Sequence, residues 1–286
     1  MKHEIHFVTG KGGVGKSAVA AALALRLSRQ GKKVLLVELG DQSFFKDYFN
    51  LEKVDFRSVS WQRGLNISLW TGEECLREYA THLIKVESVA KLFLENPVMK
   101  VFISVAPGLR ELAILGKATS VPRRHGPPMD YDAIVIDAYA TGHFKALLQA
   151  PHGMSQAFKL GPMAEQSRGI EAVLKNSEIC QFHIVTLPEE LPVREAVELW
   201  QYLKSEFGVT AQVLVNKCLP ESMQQAASEN PPAGLELFSQ YLRQHLSQQQ
   251  RSISSCEQAT ANSIRSLPLI LENKAEAVVE ALSGVV

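Results

Sequence analysis

The sequence predicts an α/β fold in which a mostly parallel β-sheet is flanked by helices. Three observations lead to this prediction. Short apolar runs recur along the chain and are separated by segments with helical periodicity. These runs are continuously apolar and do not alternate with polar residues, which indicates strands that are buried on both faces. A glycine-rich loop follows the first run and opens a helical segment, as in a βα unit.

The predicted elements follow one another in chain order. A helix is expected from Ala18 to Leu27, and a connecting helix from Glu190 to Phe207 that ends at Gly208. The predicted strands are Ile5–Val8, Val34–Val37, Ala133–Ile136, Phe182–Val185, Ala211–Val215 and Leu267–Ile270.

A long segment separates the second and third predicted strands, and it exceeds what one crossover helix needs. Helical periodicity appears over Glu73–Val86, Val89–Leu94 and Leu109–Ala118. We therefore predict a helical insertion between the second and third predicted strands, forming a helical subdomain at about 72–122. The whole chain, 1–286, is expected to be a single domain that includes this helical subdomain.

Composition excludes several classes of protein. The 286 residues are 46% hydrophobic, which is enough for a full core, and 30 basic residues balance 30 acidic ones. No overall charge therefore indicates a nucleic-acid partner or direct binding to an anionic membrane, so at most indirect membrane association is expected. Four cysteines lie far apart without a C-x-x-C pattern, which is typical of reduced thiols in the cytoplasm. The sequence enters a strand at once and has no apolar stretch of about 18 residues, so neither a signal peptide nor a membrane span is predicted.

The segment Gly10-Lys11-Gly12-Gly13-Val14-Gly15-Lys16-Ser17 matches the pattern G-x-x-x-x-G-K-[ST]. Between a predicted strand and a predicted helix, this pattern indicates a phosphate-binding loop and hence a P-loop NTPase fold. The glycines let backbone N–H groups turn toward the phosphates, and the helix N-terminus adds partial positive charge. Lys16 is expected to reach the outer phosphates, and the Ser17 hydroxyl is expected to ligate Mg²⁺. The protein is therefore predicted to bind a nucleotide.

Two further sites follow predicted strands. Asp137 ends the run Ile134-Val135-Ile136, and such an Asp orients the Mg²⁺ shell in phosphate-loop enzymes. Backbone N–H groups at Thr141-Gly142 would sense the terminal phosphate, whereas His143 is equally well explained as a helix-start residue without chemistry. Asn216 follows the fifth strand, and its amide offers both a donor and an acceptor to a purine edge. A turn or capping asparagine is the alternative.

Several strings resemble the arsenical pump-driving ATPases and the ATPases that target tail-anchored proteins in the guided-entry pathway. They span nearly the whole chain, and the class with this deviant loop also includes septum-placement and plasmid-partition ATPases. The strings are GKGGVGKS (10–17), PGLRELAILGKA (107–118), VIDAYATGHFKALLQAP (135–151), TLPEELPVREA (186–196) and VNK (215–217).

The resemblance implies a nucleotide-sandwich dimer, either a homodimer or a heterodimer with a paralogue, that holds ATP or ADP and Mg²⁺ at its interface. Lys11 would act on the nucleotide of the facing subunit, like an arginine finger, although a solvated surface lysine is the alternative. Asp137 would organise the outer shell of the metal, and Asn216 would contact adenine. Carried over by position, the nucleotide would be cradled by Gly12, Gly13, Val14, Gly15, Lys16, Ser17 and Ala18.

The helical region before Asp137 would correspond to the part that handles the protein client in the targeting ATPases. Leu92–Leu94 and Val101–Ile103 are apolar candidates for a client surface, although ordinary core positions explain any one of these residues better.

Three departures from the family pattern affect the expected chemistry. The switch after the second strand normally reads D-P-A-H, with its Asp positioning the attacking water, but this chain has Gly40 at that place. Either Asp41 substitutes through a one-residue shift or Glu38 assists, and losing a water-positioning group costs ~10²–10⁴-fold in rate. The zinc-binding C-x-x-C of the eukaryotic targeting proteins is missing. No arsenite-binding cysteine cluster is apparent, and the chain has a single phosphate loop.

The leading hypothesis is a cytoplasmic ATPase, with weak hydrolysis, whose nucleotide state switches a dimer that acts on a protein client. The alternative is a nucleotide-binding scaffold with little or no turnover, because Gly40 replaces the switch Asp. Binding to a membrane surface through the C-terminal segment is disfavoured because Lys274–Leu282 carries two glutamates and one lysine. Phosphoryl transfer to a small molecule has no substrate-site signature in its favour.

Overall fold

A computed structural model describes residues 3–84, 96–97, 108–220, 222–223, 227, 231, 234–261 and 263–286. Eight strands form one sheet in the order β3-β4-β2-β5-β1-β6-β7-β8. β2 pairs in parallel with β4 and β5, and β7 pairs in parallel with β6 and β8, whereas β3 and β4 are antiparallel. The predicted α/β class with a mostly parallel sheet is therefore confirmed. The strands are β1 (Glu4–Gly10), β2 (Val34–Leu39), β3 (Val59–Gln62), β4 (Leu65–Trp70), β5 (Ala133–Ala140), β6 (Cys180–Thr186), β7 (Gln212–Cys218) and β8 (Ile264–Pro268).

The described helices lie between these strands in the alternating order of an α/β protein. They are α1 (Lys16–Arg29), α2 (Phe44–Tyr48), α3 (Gly72–Ile84), α4 (Leu109–Ala118), α5 (Ser120–Arg123), α6 (Thr141–Ala157), α7 (Pro162–Leu174), α8 (Glu190–Tyr202), α9 (Glu236–Ala259) and α10 (Ala275–Ser283). A π-helical turn, Leu203–Phe207, continues α8 and ends at Gly208, the predicted end of this helix, which has a left-handed φ of 67°.

The chain divides into two compact units, each made of two stretches of sequence. The first comprises Met1–Phe7 and Leu27–Gln181, and the second comprises Val8–Arg26 and Phe182–Val286. In the first unit, α3 packs on α4, α4 packs on α6, and α6 packs on α7. In the second unit, α8 packs on α9. The expected single domain over 1–286 stays a prediction.

The central strands are buried along their length, as their continuous apolar sequence predicts. Every residue of β2 is buried, and so are the first six residues of β5. β5 continues through Ala140, three residues beyond Asp137, so this carboxylate lies inside the strand and not at its end as predicted. β8 begins at Ile264, earlier than the predicted start at Leu267.

The segment between the second and third predicted strands contains a hairpin that was not predicted, ahead of the predicted helical insertion. Its first part contributes the hairpin β3–β4, joined at Arg63-Gly64, where Gly64 has a φ of 79°. The alternation in Leu65-Asn66-Ile67-Ser68-Leu69 carries the period-2 signal of a strand, and β4 pairs with β2. This hairpin was not predicted, because its strands alternate apolar with polar residues, whereas the predicted strands are continuous apolar runs. The helices α3, α4 and α5 follow within the predicted range of 72–122.

Candidate functional site: the phosphate loop and the turn after strand β2

The phosphate loop connects the carboxyl end of β1 to the amino end of α1. Gly10 closes the strand and Lys16 opens the helix, so α1 begins two residues before the predicted Ala18. Gly13 and Gly15 have φ values of 84° and 92°, which residues with a Cβ rarely adopt. The loop backbone therefore depends on glycine at these two positions.

Two glycines of the loop are packed closely against neighbouring atoms. A Cβ at Gly10 would lie 2.1 Å from the Val185 carbonyl oxygen, and a Cβ at Gly15 would lie 2.4 Å from Asn216 Nδ2. A Cβ at Gly12 or Gly13, in contrast, would meet no described atom within 4 Å. One side of the loop is thus fixed to β6 and β7, while the other has the open space that a phosphate chain needs.

The side chains of the loop have defined partners in the second unit. Lys16 Nζ donates to the Lys11 carbonyl oxygen at 3.2 Å, so the lysine arches over its own loop. Val14 is buried, whereas Ser17 and Ala18 are half-buried at the start of α1. Ser17 lies where the helix N-terminus presents its unpaired N–H groups.

Asn216 has a structural contact that the sequence analysis did not foresee. Its Nδ2 donates to the Val14 carbonyl oxygen at 2.9 Å, and the residue is only 4% exposed. The asparagine therefore ties β7 to the phosphate loop. Its predicted contact with adenine stays a prediction, and the described bond engages one of the two amide hydrogens.

Lys11 pairs with a carboxylate within its own chain. Its Nζ donates to Glu195 Oε1 at 2.5 Å, and about one third of each side chain is exposed. Glu195 lies in α8, within the string that supported the family resemblance, but its spacing from the loop gave no signal of the contact. The pair holds Lys11 on its own protomer in this structure.

The turn after β2 lies in the first unit, and a buried carboxylate shapes it. Glu38 is 5% exposed, and its carboxylate accepts hydrogen bonds from Ser43 Oγ at 2.6 Å and from the Phe44 backbone N–H at 2.5 Å. Burial raises the pKa of Glu38, and these hydrogen bonds oppose the rise. Asp41 and Gln42 are exposed in the same turn. Glu38 thus forms the base of the turn, and Asp41 lies on its surface.

Asp137 is the direct neighbour of Glu38 in the sheet. The two residues are partners in the parallel register of β2 and β5, so their side chains extend from the same face. Asp137 is 7% exposed. Four residues further on, α6 begins at Thr141 after Ala140 in extended conformation. Thr141, Gly142 and His143 therefore form a helix N-terminus, with His143 exposed and its ring 6.1 Å from that of Tyr139.

The structure thus groups the predicted residues in two sets. In one unit, Lys11, Val14, Lys16 and Asn216 are joined by hydrogen bonds of the phosphate loop. In the other unit, Asp137 lies beside Glu38, and Asp41 belongs to the turn that Glu38 binds. The client candidates Leu92–Leu94 and Val101–Ile103 lie outside the described residues.

The four cysteines are all free and buried: Cys75, Cys180, Cys218 and Cys256. Burial raises the pKa of the Cys75 and Cys180 thiols to about 12 and that of Cys256 to about 11. Among the described residues, no cluster of His, Cys, Asp and Glu side chains could hold a metal ion. None of the helices described here has the length and apolar character needed to cross a membrane.

Comparison with known proteins places this geometry in a family. The model of the anion-transporting ATPase family matches residues 3–161 and 159–244. The ATPase BagA of Mycobacterium tuberculosis is 32% identical over 227 residues, covering 77% of this chain and 66% of the relative, so this chain spans just under two thirds of that protein. A putative arsenical pump-driving ATPase 2 of Aquifex aeolicus is 29% identical over 253 residues, covering 77% of this chain and 82% of the relative.

An arsenical pump-driving ATPase of Acidiphilium multivorum is 28% identical over 260 residues, covering 80% of this chain and 44% of the relative. The predicted resemblance to the arsenical pump-driving ATPases is confirmed by these matches. The chain belongs to the anion-transporting ATPase family.

Proposed function

We propose that this protein is a Mg²⁺-dependent ATPase whose nucleotide state switches a dimer acting on a protein client in the cytoplasm. The proposal rests on the phosphate loop, which is packed against neighbouring residues on one side and open on the other. Gly10 and Gly15 fix one side of it to Val185 and Asn216, and Gly12 leaves the other side open. A rigid loop with inward N–H groups binds phosphates without reorganising, which favours tight nucleotide binding.

The residues at the end of the loop fit a nucleotide and its metal. Lys16 would exchange its bond to the Lys11 carbonyl for the outer phosphates, and the Ser17 hydroxyl would face the metal. A bound Mg²⁺ would offset the negative charge that develops on the phosphate oxygens. Asp137 would hold the water molecules of its outer shell.

Hydrolysis requires a group that orients the attacking water. The water oxygen forms a bond to the γ-phosphorus, the bond from that phosphorus to the β,γ-bridging oxygen breaks, and ADP and phosphate leave. Asp41 is the exposed carboxylate of the turn after β2. We assign the orienting role to Asp41, in place of the family's Asp at the position of Gly40.

The proposed dimer depends on Lys11. Its pair with Glu195 is partly exposed, and such pairs contribute little free energy, so the lysine is able to leave it. We propose that Lys11 then contacts the nucleotide of a facing subunit, which is either a second copy or a paralogue. A protein client is favoured over arsenite. Soft ions bind the thiolate form of cysteine. The four thiols are buried, and burial raises the pKa values of Cys75, Cys180 and Cys256, which keeps these thiols protonated.

A second function is favoured by one specific observation. Gly40 offers no side chain at the position of the water-orienting Asp. A scaffold that holds ATP or ADP with little turnover would need only the phosphate loop. The two functions share the binding site and differ in phosphate release.

One experiment separates the two functions. Phosphate release is measured for the wild type and for Asp41→Asn, and particle size is measured with ADP, with ATP and with a non-hydrolysable analogue. We expect Asp41→Asn to lower kcat by about 10²-fold, because it removes a water-orienting group, and we expect dimers only when the third phosphate is present. A brisk rate that the substitution leaves unchanged would reject Asp41, and constant size without turnover would favour the scaffold.

A further inference from the structure

Glu38 occupies an unusual environment for a glutamate. It is the second-last residue of β2 and is 5% exposed, within a strand that is otherwise apolar. A buried carboxylate is costly unless hydrogen-bond donors surround it, and such residues are rarely retained by packing alone. The contacts of Glu38 show what it holds in place.

Both carboxylate oxygens of Glu38 bind the far end of the turn. One accepts from Ser43 Oγ at 2.6 Å and the other from the Phe44 N–H at 2.5 Å. Ser43 Oγ in turn accepts from the Lys46 N–H at 3.1 Å, as the N-cap of α2. These bonds join the end of β2 to the first turn of α2 and close the turn Gly40–Gln42 between them.

The same contacts argue against Glu38 as the group that activates water. Its two oxygens accept from donors of the turn, and at 5% exposure the residue has little access to solvent water. Asp41, in contrast, is exposed on the turn that these bonds close. Glu38 is thus placed to hold Asp41 and not to replace it.

The anchor lies next to the carboxylate predicted to organise the metal. Glu38 and Asp137 are direct partners across β2 and β5 and extend from one face of the sheet. A displacement of about 1 Å in a reacting group costs about 10²-fold in rate. Hydrogen bonds that fix the position of the turn relative to Asp137 would therefore prevent a loss of hydrolysis rate.

We infer that Glu38 is a positioning residue for ATP hydrolysis, because it fixes the turn that carries Asp41 on the end of β2 beside Asp137. The inference rests on the proposed ATPase function. It adds a residue that has no counterpart in the D-P-A-H pattern and explains how a turn with glycine at the switch position keeps a defined shape.

The test uses the full chain with Glu38→Ala, Glu38→Gln and a matched control, Glu74→Gln. Like Glu38, Glu74 accepts from a hydroxyl that precedes a helix, here Thr71 Oγ1 at 3.0 Å, but it is remote in sequence from the turn. Glu38→Gln preserves side-chain volume, so it remains informative if Glu38→Ala lowers stability. Thermal unfolding identifies any variant that does not fold.

The first measurement is hydrogen exchange without nucleotide. Losing a hydrogen bond of about 1 kcal/mol speeds exchange about five- to tenfold. We expect this increase at the Phe44 and Lys46 amides in Glu38→Ala, a smaller increase in Glu38→Gln, and none in Glu74→Gln. Unchanged exchange at both amides in Glu38→Ala would overturn the inference.

The second measurement is steady-state hydrolysis. We expect Glu38→Ala to lower kcat about 10- to 100-fold while the KM for ATP changes less than about twofold, because Asp41 is displaced and the phosphate loop is not. Faster exchange with an unchanged kcat would show that Glu38 only stabilises the turn, and the positioning role would be rejected.

A wild type that releases no phosphate would reject the proposed turnover, and a third measurement then decides on Glu38. Exchange is compared with and without a non-hydrolysable ATP analogue and Mg²⁺. We expect the analogue to slow exchange over residues 40–46 in the wild type and in Glu74→Gln but not in Glu38→Ala. Equal protection in all three proteins would overturn the inference.

Discussion

The phosphate loop and the turn after β2 are held in different ways. The loop, Gly10–Ser17, depends on glycine conformations and on close approach of main-chain atoms to Val185 and Asn216. The turn, Gly40–Ser43, depends on one buried carboxylate that accepts two hydrogen bonds. The shape of the loop depends on glycines, which have no side chain, whereas the shape of the turn depends on the side chain of Glu38.

This difference bears on what each segment does in the proposed function. Binding a triphosphate requires N–H groups in a fixed array, which only the backbone supplies. Orienting water requires a side chain at a suitable distance, and that requirement is satisfied by more than one sequence. The family's loop pattern is therefore retained here residue by residue, while the switch pattern is not.

The largest effect is expected where the loop approaches β6. Gly10→Ala would place a Cβ 2.1 Å from the Val185 carbonyl oxygen, at a φ of 145°. We expect it to lower the free energy of unfolding by at least about 3 kcal/mol, because main-chain atoms must move. Gly12→Ala meets no described atom within 4 Å and should cost less than about 1 kcal/mol without nucleotide. Denaturant unfolding measures both, and equal losses would contradict a loop fixed on one side only.

A smaller effect is expected at the lysine of the loop. Glu195→Gln weakens the partner that holds Lys11 on its own chain. If Lys11 acts on a facing subunit, ATP-dependent dimers should form at about two- to fivefold lower protein concentration, which corresponds to about 0.5–1 kcal/mol for an exposed pair. Glu198→Gln in the same helix, which loses a pair with Arg194, is the control. Sedimentation over a concentration series with ATP measures the change, and an unchanged or weaker dimer would count against action in trans.

An effect of similar size, confined to stability, concerns the other end of β1. Glu4 pairs with Lys32 at 2.7 Å, and a hydrogen bond from His6 together with this pair lowers the pKa of Glu4 to about 2. We expect Glu4→Gln to lower the free energy of unfolding by about 1 kcal/mol at pH 7, since solvent screens the partly exposed pair. ATP affinity should not change, because the loop is held by its own contacts.

The sign of the pH dependence follows from the lowered pKa of Glu4. Its stabilising contribution is complete above the usual pKa of about 4.5 and is lost as the pH falls toward about 2. The wild type and Glu4→Gln should therefore converge in stability over that interval. A difference that grows on acidification, or weaker ATP binding by the variant at pH 7, would show that this end of β1 supports the loop.

The sequence predicted the segments whose shape depends on local chemistry. The phosphate loop, the helix end at Gly208 and helix α4 were predicted because glycine position and helical period carry that information. The hairpin β3–β4 was missed, although its residues alternate between apolar and polar in the pattern of a strand. Contacts such as Lys11 with Glu195, or Glu38 with Ser43, depend on how distant or exposed segments pack, which no periodicity encodes. For the same reason, the sequence offered Asp41 as a substitute and Glu38 as an assisting group without showing that the two have different environments.

The burial of the four cysteines has a practical consequence for studying the turn. Thiols that are both inaccessible and largely protonated react slowly with maleimide dyes. A single cysteine introduced at the exposed Lys46 of α2 would therefore be labelled selectively in an otherwise unmodified chain. A fluorophore at this position would report in real time whether α2 moves when a nucleotide is added, and the four native cysteines would not have to be replaced.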